Sequence, residues 1–167
     1  MTEEIKRNYL EIKTIKDLRQ VNKPSDEYSL SLVDPINFQL NKFFYRNIGK
    51  NHKWVDRLIW SEETWINYLS SEKVKTYIFK HNDDLVGFFE LVFHQEDNEM
   101  EIAYFGILEE YQNKKLGSYL LSEAIKKSFH NNVSRVWLHT CSLDHKNALN
   151  NYKSRGMKIF KKETIII

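Results

Sequence analysis

Apolar residues between positions 74 and 107 fall into three short blocks separated by polar turns. Blocks of this length, bounded by turn residues, predict strands over residues 74–80, 85–93 and Glu99–Ile107. Because the turns between them are short, we expect the three strands to pair in sequence as an antiparallel meander.

The pattern changes to a helical period after the third strand. Apolar residues recur at the spacing of a helix with one buried face, at Leu116, Leu120, Leu121, Ala124 and Ile125. We therefore predict a helix over residues 114–130. Residues 135–140 (RVWLHT) follow as a strand that is apolar on both faces, as in a central position. A strand, a helix and a strand in this order predict a right-handed crossover and one parallel pair.

The remaining elements are marked by turn and capping residues. Strands are expected at residues 9–15, 28–33 and 157–166. Asp34 and Pro35 resemble a helix start, and that helix would end at Gly49. Ser61 opens a second helix with an apolar stripe, and Asp144 is expected to cap a last helix over residues 145–155.

These elements predict a mixed α/β (α+β) fold: a mostly antiparallel central sheet flanked by helices, with one parallel strand–helix–strand crossover. No repeat, low-complexity tract or linker interrupts the chain, so we expect one domain over residues 1–167. Two strands and two helices are predicted in the first part, about 1–72, whereas the part of about 73–167 begins with a run of three strands.

Composition narrows the function classes. Hydrophobic residues make up 41% of the 167 residues, which is typical of a folded chain. A formal charge of +2 gives no reason to expect nucleic acid or a membrane as partner. Cys141 is the one cysteine, so no internal disulfide can form. The first residues lack the apolar core of a signal peptide, and we expect a cytoplasmic protein.

The loop before the predicted helix of residues 114–130 is the first candidate site. Gly117 lies in the first helical turn, where glycine usually lowers stability, so a close approach to the backbone is indicated. A helix start also offers unpaired N–H groups to an anion such as phosphate. The alternative is an ordinary strand-to-helix connection with a glycine for packing.

Two motifs now make the chain resemble the GNAT family of N-acetyltransferases from about residue 74 to residue 160. Residues 112–117 (QNKKLG) resemble the acetyl-CoA motif Q/R-x-x-G-x-G/A, and residues 148–157 (ALNNYKSRGM) resemble A-x-x-x-Y-x-x-x-G-F. The order of strands and helices matches as well. Residues 139–145 are also similar to a bacterial branch of uncharacterised members. Lys115 replaces the first motif glycine, and Met157 replaces the usual phenylalanine.

The resemblance implies acetyl-CoA as cosubstrate and CoA as product. In this family the strand before the loop splays from its neighbour and holds the thioester and pantetheine with backbone N–H groups; this implies Phe105, Gly106, Ile107 and Leu108. The pyrophosphate would contact the loop and the helix start. His145 stands where many relatives have an Asn near the cofactor. The residues so implied are Gln112, Asn113, Lys114, Lys115, Leu116, Gly117, Ser118 and His145.

Two residues are implied as catalytic. Tyr152 matches the family tyrosine that donates a proton to the CoA sulfur; the alternative is a core tyrosine with a tethered hydroxyl. Glu101 matches the catalytic glutamate of the histone-acetyltransferase branch, and we expect it to share a strand face with Ala103 and Phe105. Partial burial there would raise its pKa toward that of a useful base. The alternative is a carboxylate that only binds the substrate ammonium.

The acceptor pocket is expected in the N-terminal part. Aromatic side chains there could enclose a hydrophobic or cationic substrate, Asp56 could meet an amine, and Glu90 is a second carboxylate that could act directly or through water. The predicted substrate-binding set is Tyr45, Trp54, Asp56, Trp60 and Glu90. Helix packing is the better explanation for Trp65.

The function predicted from these residues is direct acetyl transfer from acetyl-CoA to a primary amine of a small molecule or peptide. A non-catalytic acyl-CoA-binding or sensing module is the alternative. Cys141 is more readily explained as inert, and the histidines lack metal-ligand spacing, so no metal is expected. The sequence leaves the acceptor, the acyl-chain length and the choice between monomer and homodimer open.

Overall fold

The computed structural model describes residues 2–166 and is built on one seven-stranded sheet. The strands are β1 Glu4–Ile12, β2 Tyr28–Leu32, β3 Val74–His81, β4 Asp84–His94, β5 Glu99–Ile107, β6 Arg135–Cys141 and β7 Lys158–Ile166. The helices are α1 Phe38–Gly49, α2 Glu62–Leu69, α3 Leu116–Phe129 and α4 Ala148–Ser154, with short 3₁₀ turns at Ile15–Asp17 and Glu109–Tyr111. None of these helices is long and apolar enough to cross a bilayer.

The strand order is β2-β3-β4-β5-β6-β1-β7. Within the described residues, neighbouring strands are antiparallel except for β5 and β6, which are joined by α3 and run parallel. The predicted fold class is therefore confirmed. The first strand of the chain lies inside the sheet, between β6 and β7, so the two ends of the chain build the same half of the sheet.

The two faces of the sheet are covered differently. α3 packs its predicted apolar stripe onto one face, where Leu120, Leu121, Ala124 and Ile125 are fully buried. On the opposite face, α1 and α2 pack over β3, β4 and β5 through two smaller apolar clusters. Residues of β6 and β1 on that second face, such as Trp137 and His139, remain partly or well exposed. We call this β6-β1-β7 surface the open face.

Several predicted boundaries were wrong. α1 begins at Phe38, because the chain still follows the sheet at Val33, whose N–H donates to the Thr76 carbonyl at 2.9 Å. Asn37, rather than Asp34, caps the helix by accepting from the N–H of Leu40. β1 covers residues 4–12 rather than 9–15, and β6 is buried on one face only.

The last helix is also shorter than predicted. It begins at Ala148 instead of residue 145, and Asp144 is not its cap. The Asp144 carboxylate instead accepts hydrogen bonds from the Thr140 hydroxyl and from the N–H of Cys141. Asp144 therefore organises the end of β6, which turns directly beside the candidate site.

Candidate active site

A wedge between β5 and β6 is the main feature of the site. The two strands pair in parallel at Glu99↔Arg135, Met100↔Val136 and Glu101↔Trp137, and no pairing continues beyond Glu101. β5 runs on to Ile107 and β6 to Cys141, so both strands border the wedge with unpaired edges. The sheet thus offers backbone hydrogen-bonding groups to a ligand in its interior.

A β-bulge at Ala103 sets which side chains face the wedge. Tyr104 pairs with Glu90, but Ile102 pairs with Leu91, so Ala103 has no partner residue on β4. The extra residue resets the alternation of side chains. Phe105 consequently faces α4, with its ring 6.4 Å from that of Tyr152, and the prediction that it shares a face with Glu101 was wrong.

The same alternation sorts the predicted backbone donors. The N–H of Leu108 donates to the carbonyl of Val86 at 2.8 Å, and successive N–H groups of a strand point to opposite sides. The N–H groups of Gly106 and Leu108 are therefore directed to β4, whereas those of Phe105 and Ile107 point into the wedge. Gly106 has a packing role, since a Cβ there would lie 2.7 Å from Ile48 of α1.

The loop before α3 has a left-handed residue at the position of the first motif glycine. Lys115 adopts φ 62° and ψ 17°, the left-handed conformation that a glycine would adopt without strain. Asn113 is also left-handed, with φ 64°. Lys115 precedes the first residue of α3, Leu116, and no side chain within the described residues caps the helix. The N–H groups of its first turn are thus left to solvent or an anion.

Three side chains shape this helix start. The Gln112 amide donates to the carbonyl of Ile107 at 3.2 Å and ties the loop to the end of β5. The Ser118 hydroxyl donates to the carbonyl of Lys115, and Lys114 lies over the ring of Tyr111. A Cβ on Gly117 would meet only Asn151 at 3.7 Å and Ile107 at 3.9 Å, which are ordinary contacts. Packing within the described residues therefore does not require this glycine.

Tyr152 lies on the α3 side of the wedge. Its side chain is buried, and its hydroxyl has no hydrogen-bond partner within residues 2–166, so the tethered-tyrosine alternative loses its support. Burial, together with Asp144 and Cys141, raises the pKa of the phenol. Burial also raises the pKa of the Cys141 thiol. Both groups therefore keep their protons at neutral pH. His145 precedes α4, where its Nδ1 accepts from the N–H of Asn147.

Glu101 lies on the opposite side of the sheet, at the last paired position before the wedge. Its side chain is 18% exposed, and its Oε1 lies 2.9 Å from Nε2 of His94. It borders the open face, next to Trp137 of β6. The nearest partner of this carboxylate is thus an imidazole rather than a permanent cation.

Glu90, the second predicted carboxylate, has a different environment. It is fully buried and forms a two-point ion pair with Arg57, at 3.0 Å to Nη1 and 2.8 Å to Nη2. The Tyr68 hydroxyl donates to the same carboxylate, and Asn41 lies at 3.5 Å. With both oxygens held, Glu90 has no position free for a substrate, and its part in the site is to hold Arg57.

Aromatic rings enclose the Arg57 guanidinium. Burial lowers the pKa of Arg57, but the hydrogen bond and charge of Glu90 outweigh this effect and raise it. The rings lie 4.3 to 6.0 Å from the guanidinium carbon and belong to Tyr45, Trp60, Trp65, Tyr68 and Tyr104. Sequence reasoning missed Arg57; its place between two tryptophans in a short loop was the available signal.

The residues predicted to bind the acceptor therefore lie in two different environments. Tyr45 and Trp60 belong to the enclosure of Arg57, and the Tyr45 hydroxyl accepts from the N–H of Arg57 at 3.0 Å. Trp54 packs against Tyr104 with ring centres 4.9 Å apart, and Asp56 is exposed on the loop. They remain predicted substrate contacts, whereas the residues on the open face beside Glu101 were not predicted as such.

The chain belongs to the Acetyltransferase (GNAT) family, whose profile it matches over residues 37–157. No curated protein sequence shows significant similarity to it. Solved structures share the fold. A GCN5-related N-acetyltransferase from Sphaerobacter thermophilus aligns with TM-score 0.75 and 14% identity, over 97% of this chain and 50% of that one. A functionally unknown conserved protein from Staphylococcus epidermidis aligns with TM-score 0.66 and 19% identity, over 99% and 62%.

An aminoglycoside acetyltransferase from an uncultured soil metagenomic sample is a third similar structure, with TM-score 0.67 and 12% identity, over 80% of this chain and 90% of that one. At these identities the likeness concerns the fold alone. The chain spans 62%, 50% and 56% of the first three similar structures, which is less than two thirds of their length.

Proposed function

We propose that this protein is an acetyl-CoA-dependent N-acetyltransferase of the cytoplasm that moves an acetyl group directly to a primary amine of a small molecule or peptide. The observation that carries the proposal is the wedge between β5 and β6. One side of it holds a buried phenol without a hydrogen-bond partner among the described residues, and the other side holds a carboxylate without a permanent cation.

Acetyl-CoA fits the groups around the wedge. The first-turn N–H groups of α3, with Lys115 beside them, would hold its phosphates, and Gly117 leaves room for their approach. The N–H groups of Phe105 and Ile107 would bind the acyl and pantetheine part. When bound, the cosubstrate supplies an acetyl thioester. One of these N–H groups, donating to the thioester carbonyl oxygen, would favour the charge that develops there during attack.

Tyr152 would act as the acid. Its raised pKa keeps the hydroxyl protonated, and its free O–H can donate to the departing sulfur. We expect Tyr152→Phe to lower turnover by about 100-fold while leaving acetyl-CoA affinity nearly unchanged, because only the proton donor is lost. Unchanged turnover would remove Tyr152 from the mechanism, and weaker binding would give it a binding role instead.

Calorimetric titration with acetyl-CoA tests the cosubstrate assignment. Gly117→Ala should weaken binding by about tenfold although the extra methyl has room in the folded protein, and Lys115→Glu should weaken it similarly. Lys158→Glu on the edge strand β7 is the charge-matched control and should bind like the wild type. No binding at millimolar acetyl-CoA would overturn the proposal. Tight binding without turnover across a panel of amines would favour the non-catalytic module.

A further inference from the structure

His139 is the first side chain of β6 on the open face beyond the last paired residue. Trp137 pairs with Glu101, and His139 lies two residues further on the same face, where β6 has already separated from β5. Its imidazole is exposed, with its ring centre 5.6 Å from that of Tyr9 on β1. An amine that reaches the wedge across the open face would meet this ring.

The carboxylates of this face differ in their partners. Glu99 and Glu11 both pair with Arg135 at 2.8 and 3.0 Å, and Glu163 pairs with Arg7 at 3.4 Å. Glu101 alone among these four has an imidazole, His94, as its partner. An imidazole carries no permanent charge, unlike the guanidinium groups that pair with the other three carboxylates, so this point of the face can attract a cation.

The other route toward the wedge is occupied. α1, α2 and the enclosed Arg57 fill the space over Tyr104 and Glu90 on the same face of the sheet. Because Arg57 and Glu90 are buried and bonded at two points, opening that side would leave two charges unpaired, at a high cost. The open face therefore remains as the approach for the acceptor.

We propose that the acceptor amine binds on the open face, with its ammonium held by Glu101, and that His139 is the base that takes its proton. This inference rests on the proposed function and assigns the base and the binding carboxylate to separate residues. A small primary ammonium group matches the site, since one carboxylate and the surrounding rings of Trp137, Tyr9 and His94 can enclose it.

The proton balance follows from these roles. His139 accepts one proton from the ammonium, and the free amine attacks the thioester carbon as the C–N bond forms. The C–S bond then breaks, and Tyr152 gives its proton to the sulfur. The second proton of the amine leaves through solvent and restores Tyr152, while His139 releases its proton to water. The sum is one amide, one thiol and one free proton.

The charged surroundings of His139 suit this role. Although the imidazole reaches the surface, neighbouring groups partly desolvate it; this desolvation and Arg7 on β1 lower its pKa, while Glu101 on β5, Asp144 after β6 and Glu163 on β7 act in the opposite direction. The net lowering leaves the imidazole neutral, and therefore able to accept a proton, at neutral pH. As pH falls through its pKa the base is lost, so kcat/KM should fall on the acid side.

The test compares His139→Gln, Glu101→Gln and a matched control, His130→Gln, whose side chain is exposed at the end of α3. Amines that the wild type acetylates are assayed from pH 5 to 9, and calorimetry checks that each variant binds acetyl-CoA. We expect His139→Gln to lower kcat by about 100-fold and to remove the acid limb of the pH profile. Glu101→Gln should raise KM for the amine by about tenfold with a smaller change in kcat.

Three outcomes would contradict the inference. If His139→Gln keeps both its rate and its acid limb while the wild type turns over, the inference fails and the proposed function stands. If Glu101→Gln removes the limb instead, Glu101 is the base. If the protein binds acetyl-CoA but acetylates no amine, the proposed function fails and this inference with it.

Discussion

Two carboxylates on neighbouring strands, on the same face of the sheet, have different partners in this protein. Glu90 on β4 lies beneath α1 and α2 and forms a two-point ion pair with Arg57, whereas Glu101 on β5 borders the open face and contacts the imidazole of His94. In the sequence Glu101 was the first candidate for the base, and Glu90 was a second carboxylate that could act directly or through water. The comparison teaches that the partner of a carboxylate, rather than its position in an apolar strand, decides whether it can serve a substrate.

The largest effect on stability is expected when Glu90 loses its ion-pair partner, Arg57. Arg57→Ala leaves the Glu90 charge buried without a partner and should lower the free energy of unfolding by about 3–5 kcal/mol. Urea denaturation measures this change. Adding Glu90→Gln to Arg57→Ala should recover part of the loss, because the unpaired charge is removed. If Arg57→Ala alone lowered the free energy of unfolding by less than about 1 kcal/mol, the packing of α1 and α2 over the sheet would not depend on the ion pair.

A smaller effect should follow from Tyr68→Phe, which removes the hydroxyl that donates to Glu90. Hydrogen bonds to charged groups contribute about 1.5–3 kcal/mol, so we expect a loss in that range by the same measurement. Burial and Glu90 raise the pKa of Tyr68, so the folded protein favours the neutral phenol. The contribution of Tyr68 to stability is therefore fully present below pH 10 and is lost above it, so the fall in stability above pH 10 should be shallower in Tyr68→Phe.

The smallest effect on stability is expected at Glu101, which borders the open face. Glu101→Gln replaces a partly exposed carboxylate beside an imidazole, and it should change the free energy of unfolding by less than about 1 kcal/mol. The same substitution is the one expected to weaken amine binding. If Glu101→Gln destabilised the protein as much as Arg57→Ala, the surroundings of Glu101 and of Glu90 would contribute equally to stability, which would contradict the comparison.

Much of the architecture followed from the sequence. The strand Glu99–Ile107 was predicted with its bounds, and the parallel crossover through α3 was predicted from element order. These features depend on local apolar patterns, which the chain carries plainly. The start of α4 was missed because Asp144 bonds back to β6 rather than forward to the helix, and either use is open to an aspartate before a helix.

The site was less accessible to sequence reasoning. The bulge at Ala103 leaves no mark in the apolar pattern, yet it moves Phe105 to the other face of the sheet. The bond between Arg57 and Glu90 joins residues 33 positions apart, and such a pair is visible only once the strands and helices are placed. The roles given to Tyr152, Glu101 and the loop before α3 stay predictions, now with geometry that supports specific tests.

The place of β1 within the sheet has a consequence for how the protein is made. Arg7 pairs with Cys141 on one side and with Glu163 on the other, so β1 can pair only after the much later segments β6 and β7 have been synthesised. Contacts of such large sequence separation form slowly. The meander β3-β4-β5 and α3 can assemble before that point. The surface that carries Tyr9 and His139 is therefore completed only once β6 and β7 have been added to the sheet, and a nascent chain would form a buried core before it forms a face able to receive an amine.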